Sequence, residues 1–119
     1  MNSDKLLIVQ NDGKVLRSWV WEISVMRLKR SLILNTAKDS HSAKQLYVEF
    51  WPEKIILPGF LETSPSTVLV EWFIDRGFKG TLIAAVNDPG LAKGLQEAGC
   101  STVLSQEQLI PHLKQLLGP

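Results

Sequence analysis

Apolar positions along the chain form two alternating kinds of run. One is short and continuous; the other is longer, with spacings of three and four. Leu6-Leu7-Ile8-Val9 is continuous, as expected of a strand covered on both faces. Asn11-Asp12-Gly13 ends it with turn chemistry. Val15, Leu16, Trp19, Val20 and Ile23 then share one helical face, and Val25 and Met26 extend that helix's apolar arc. Leu32-Ile33-Leu34 reads as a second strand. Asp39-Ser40 caps a helix with Ala43, Leu46, Tyr47 and Phe50 inward, stopped by Pro52. Ile55-Ile56-Leu57 is a third strand closed by Pro58-Gly59. Ser64-Pro65-Ser66 opens a helix bearing Val68, Leu69, Trp72 and Phe73. A fourth strand spans 82–86. Asp88-Pro89 starts a helix with Leu91, Leu95 and Ala98 inward, and Gly94 allows it to approach the sheet. Thr102-Val103-Leu104 is a fifth strand. Ser105 with Gln108 forms a capping box for the last helix, where Pro111 predicts a kink or restart.

Strict alternation of strand and helix, with short connections, predicts a parallel sheet with helices on both faces. Five such units predict a flavodoxin-like doubly wound (βα)5 α/β domain, with strand order 2-1-3-4-5. The 119 residues fit one domain, residues 1–119, and leave too little chain for an eight-unit barrel. A net charge of +1 gives no reason to expect nucleic-acid binding, and no apolar run approaches a membrane span. With one cysteine, Cys100, no internal disulfide forms; a soluble, cytoplasmic protein is expected.

Little catalytic chemistry is visible. His41 and His112 are far apart and lack neighbouring ligands, so no metal site is expected. Cys100 follows a helix-ending glycine and reads as a small buried filler. Arg27, Lys29 and Arg30 read as a solvated helix end. Trp19 and Trp21 are two apart on one helix and cannot share a face. With Trp19 on the sheet, Trp21 either projects outward with Val25 and Arg27 as a partner-binding surface or lies beneath the following loop.

Four stretches carry a family resemblance. They are Leu6-Leu7-Ile8-Val9-Gln10-Asn11-Asp12, Pro52-Glu53-Lys54-Ile55-Ile56-Leu57, Leu95-Gln96-Glu97-Ala98-Gly99-Cys100 and Leu104-Ser105-Gln106. In this order the chain resembles a response-regulator receiver domain along essentially its whole length. The resemblance implies a phosphoryl-accepting aspartate after the third strand and acidic Mg²⁺ ligands after the first. It also implies a Ser or Thr after the fourth strand and a Lys after the fifth. In this sequence the acceptor position is Pro58, or Lys54 when counted back from Pro58-Gly59. The Mg²⁺ positions are Gln10 and Asn11 with Asp12 beside them, the hydroxyl position is Val86 and the lysine position is Gln106. The chain thus resembles a pseudo-receiver without phosphoryl chemistry or a cofactor: a non-enzymatic two-component signalling module. By the same resemblance its first helix docks another signalling protein or a neighbouring domain, with homodimerisation as a further mode. The alternative is a small-ligand binder or enzyme using the crevice of Gln10, Asn11, Asp12, Pro58, Gly59 and Glu62 at the strand carboxyl ends.

Overall fold

Alternation of side chains across each strand organises the core. In a computed structural model describing residues 3–61 and 64–119, Leu7, Val9, Ile55, Leu57, Leu82 and Ala84 point to one face of the sheet. Leu6, Ile8, Ile56, Ile83 and Ala85 point to the other. Each strand is thus buried on both sides, which explains its continuous apolar run.

The chain runs through β1 (Ser3–Val9), α1 (Gly13–Ser24), β2 (Ser31–Ala37), α2 (Ser40–Phe50) and β3 (Lys54–Pro58). A short hairpin follows, β4 (Phe60–Leu61) against β5 (Ser64–Pro65), then α3 (Thr67–Asp75) and β6 (Thr81–Ala85). The chain ends with α4 (Pro89–Ala98), β7 (Thr102–Leu104) and α5 (Gln106–Leu117). The main sheet has five parallel strands in the order β2-β1-β3-β6-β7, the expected doubly wound order. Helices α1 and α5 cover one face; α2, α3 and α4 cover the other. The chain reverses direction across the sheet between β1 and β3, which is where this architecture offers a crevice. No described helix is long and apolar enough to cross a membrane.

Local chemistry sets the helix starts. Asp12 Oδ1 accepts the Lys14 and Val15 N–H groups, Asp39 Oδ1 accepts Ser42 N–H, and Asp88 Oδ1 accepts Leu91 N–H. The Ser42 N–H bond holds the Asp39 carboxyl below its ordinary pKa. Gln108 Oε1 accepts Ser105 N–H at 3.0 Å, as the expected capping box requires.

Several expectations need correction. Helix α1 ends at Ser24, whose hydroxyl donates to the Trp21 carbonyl at 2.7 Å. Val25 is its C-cap, Met26 lies beyond it, and Arg27, Lys29 and Arg30 occupy the loop before β2 rather than a helix end. Strand β2 is longer than its apolar centre suggests. Ser64 and Pro65 belong to the β4–β5 hairpin, so α3 starts later, buries Val70 and leaves Val68 exposed. Helix α5 runs unbroken through Pro111, with Leu109, Leu113 and Leu117 buried along its length. A methyl at Gly94 would touch only Thr67 Cγ2 at an ordinary 3.6 Å, so close packing does not require this glycine.

Candidate functional site

The carboxyl ends of β1, β3 and β6 bring the sequence-marked positions to one rim. Gln10 follows β1, is only 3 % exposed, and its Oε1 accepts Asp12 N–H at 3.0 Å. Asn11 projects to solvent. Asp12 carries the one carboxylate of this trio, and it is taken up by capping α1. Asp39 and Asp88, after β2 and β6, also cap their own helices. No group of three metal-ligating side chains gathers among the described residues. Mg²⁺ demands several hard oxygen ligands in near-octahedral array, and Gln10, Asn11 and a capping Asp12 do not fit it.

Pro58 ends β3 opposite Ala85 and is buried. Lys54 starts the strand at the opposite pole, where its Nζ lies 3.3 Å from Asp4 Oδ1. Of the two positions that the resemblance leaves open, Pro58 thus lies at the carboxyl end of β3 and Lys54 at its start. Val86 is nearly buried and donates its backbone N–H to the Leu104 carbonyl at 2.8 Å. It also presses on the turn after β3: a Cβ built on Gly59 would lie 2.4 Å from Val86 Cγ2 and 3.3 Å from Leu91 Cδ1. Hydrocarbon thus packs against the turn beside Pro58. Gln106 is exposed, and its backbone N–H donates to Asn87 Oδ1 at 3.0 Å. Glu62 lies outside the described residues.

The second candidate surface is on α1. Trp19 packs into the core at 5 % exposure, whereas Trp21 is 66 % exposed and Val25 58 %. Trp21 therefore projects outward and is not covered by the following loop. It helps line a surface groove of about 510 Å³ with Leu16, Arg17, Val20, Ser24 and Thr36, between α1 and the edge strand β2. Arg27 is exposed in the loop below. Sequence reasoning located Trp21 and missed the groove, because Thr36 reaches it from an element far along the chain. Cys100 is buried as expected, and burial pushes its thiol up to about 12, far from a nucleophilic thiolate.

No family model matches the sequence, and no curated protein matches it. Solved structures do match the fold. The signal receiver domain of an HD domain-containing protein from Pseudomonas fluorescens superposes with a TM-score of 0.78 at 22% identity, over 96% of this chain and 94% of that one. A LuxR-family two-component response regulator from Aurantimonas sp. gives 0.80 at 15% identity, over 97% of this chain and 85% of that one. A response regulator receiver domain protein from Methanospirillum hungatei gives 0.79 at 13% identity, over 97% and 94%. In its fold, this chain is similar to response-regulator receiver domains from end to end.

Proposed function

We propose that the protein is a receiver-fold signalling module that works by protein contact and accepts no phosphoryl group. One observation carries this reading: the rim at the carboxyl ends presents Gln10, Asn11, Pro58, Val86 and Gln106 where phosphoryl transfer needs carboxylates, a hydroxyl and an amine. A proline ring offers no nucleophilic oxygen, and the side chains of Val86 and Leu91 crowd the turn beside it. Incubation with acetyl phosphate and Mg²⁺, followed by intact mass, is expected to return the unmodified chain. A phosphoryl adduct overturns the reading.

The contact surface is the α1 groove with Trp21, Val25 and Arg27. Its charge points to an acidic partner. Residues 13–38 hold Lys14, Arg17, Arg27, Lys29, Arg30 and Lys38 against Glu22 alone, a balance of +5 in a chain whose total is +1. The partner is another signalling protein or a neighbouring domain, presenting apolar side chains among carboxylates. A large exposed aromatic in a groove is the usual anchor of such contacts. Trp21→Asp is expected to weaken partner binding by about 2 kcal/mol or more, roughly thirtyfold. Its exposure limits the cost to folding to about 1 kcal/mol or less. Proteins retained by the immobilised wild type and variant, compared alongside thermal unfolding, read both effects. Equal retention by a folded variant removes α1 from the assignment.

A further inference from the structure

The pole opposite the degenerate rim carries a second, separate surface. There α2 and α3 end, and β3 and β6 begin. Tyr47, Trp72, Phe73 and Phe78 form an aromatic cluster, with Tyr47 and Trp72 edge to face at 5.7 Å and Tyr47 and Phe73 at 5.1 Å. Trp51 stands beside it, 73 % exposed. Its backbone is left-handed, with φ at 56°, although it is a bulky residue followed by Pro52. Such a conformation is costly for a residue other than glycine, and the surrounding structure holds it through the bond from Trp51 N–H to the Tyr47 carbonyl. A groove of about 370 Å³ runs between Trp51 and the Arg76–Gly80 turn. A second of about 190 Å³ shares Tyr47, Trp51 and Arg76 with it.

The charges here are unusual. The Arg76 guanidinium lies 4.4 Å from the centre of the Trp72 ring, stacked and therefore oriented. Among the described residues no carboxylate pairs with Arg76 or Lys79. The one acidic lining residue, Glu53, accepts the Lys5 N–H. An oriented fork of N–H donors without a carboxylate, next to open aromatic faces, matches an anion attached to an apolar group. The helix ends narrow the choice further. The carboxyl ends of α2 and α3 meet here, and their partial negative charge opposes a phosphate dianion more than a single carboxylate.

We infer that this groove binds an acidic peptide segment of a partner protein, its carboxylate on Arg76 and a neighbouring apolar side chain against Trp51 and Tyr47. It lies on the α2–α4 face of the sheet, whereas α1 lies on the other, so occupancy here does not depend on the α1 surface.

The test is an NMR titration of the full chain with Ac-Phe-Leu-Asp-NH2, reading the four indole N–H signals and the amides of residues 76–80. Shifts are expected at Trp51, Trp72 and the 76–80 turn, whether or not Trp21 in the α1 groove responds as well. The Asn counterpart of this peptide and the Arg76→Gln variant are each expected to bind about tenfold more weakly. Trp51→Gly should also lose binding while keeping or raising thermal stability, because glycine accepts the left-handed backbone without strain. Absent shifts, shifts confined to Trp21, or a neutral or lysine-bearing peptide shifting the 76–80 turn as strongly as the acidic one each overturn the inference. Inorganic phosphate producing the same shifts at equal concentration overturns the preference for a carboxylate.

Discussion

Phe73→Ala is expected to remove about 3–5 kcal/mol of folding stability, the loss typical of deleting a buried ring. Phe73 is fully buried on α3, facing the sheet. It sits 5.1 Å from Tyr47, 5.7 Å from Trp72 and 6.4 Å from Phe78, ring centre to ring centre. The aromatic neighbours come from α2, α3 and the following turn, so one truncation loosens three segments together. Domains of this size are commonly stable by only about 5–15 kcal/mol, so the variant is left close to its unfolding threshold. Urea unfolding followed by circular dichroism measures the effect, with a lower midpoint and an unchanged slope expected. The control is Val68→Ala on the same helix. Val68 is exposed and should change stability by about 0.5 kcal/mol or less. A Phe73→Ala loss no larger than that of Val68→Ala contradicts the packing described. The Phe73 variant also disturbs the platform beneath Arg76, which is why the groove is tested at Arg76 and Trp51 instead.

The same residues explain how far the sequence could be read. Asp39 and Asp88 announced their helices because a cap bond reaches only three residues along the chain. The strand order followed from alternation, since right-handed crossovers leave few arrangements open. The end of α1 was hidden, because neither glycine nor proline follows Ser24 and apolar spacing continues into Val25 and Met26. The β4–β5 hairpin was hidden because two-residue strands have no periodicity to detect. Its presence delays α3 and turns Val68 outward. At the rim, Gln10, Pro58, Val86 and Gln106 were named from the family resemblance, and each lies at, or within two residues of, the end of β1, β3, β6 or β7. The pressing of Val86 on Gly59 was not legible, because it depends on the depth at which two strands sit beside each other. The groove beside Trp51 was missed for a related reason. Pro52 marked the helix stop, but nothing local foretells a left-handed tryptophan or the stacking of Arg76 on Trp72.

Gly80→Ala is expected to cost about 3 kcal/mol, the upper part of the range for forcing atoms into filled space. Gly80 immediately precedes β6, where Thr81 N–H donates to the Glu53 carbonyl at 3.0 Å and Thr81 faces Lys54 on β3. A Cβ there would lie 2.0 Å from that same carbonyl oxygen and 2.6 Å from Phe78 Cζ. The phenyl ring can swing aside; the carbonyl cannot without pulling β3 and β6 apart at their first rung. Two other glycines separate this cause from backbone preference. Gly77 has φ at 84° with nothing within 4 Å of a built Cβ, so alanine there costs only the left-handed strain, about 1–2 kcal/mol. Gly94 is helical and has room, so alanine should stabilise the chain by about 0.5–1 kcal/mol. Urea midpoints should therefore rank Gly94→Ala above wild type, then Gly77→Ala, then Gly80→Ala. A Gly80→Ala midpoint at or above that of Gly77→Ala would mean that β6 does not approach the Glu53 carbonyl this closely. The floor of the Arg76 groove, which includes the same turn, would then be misplaced as well.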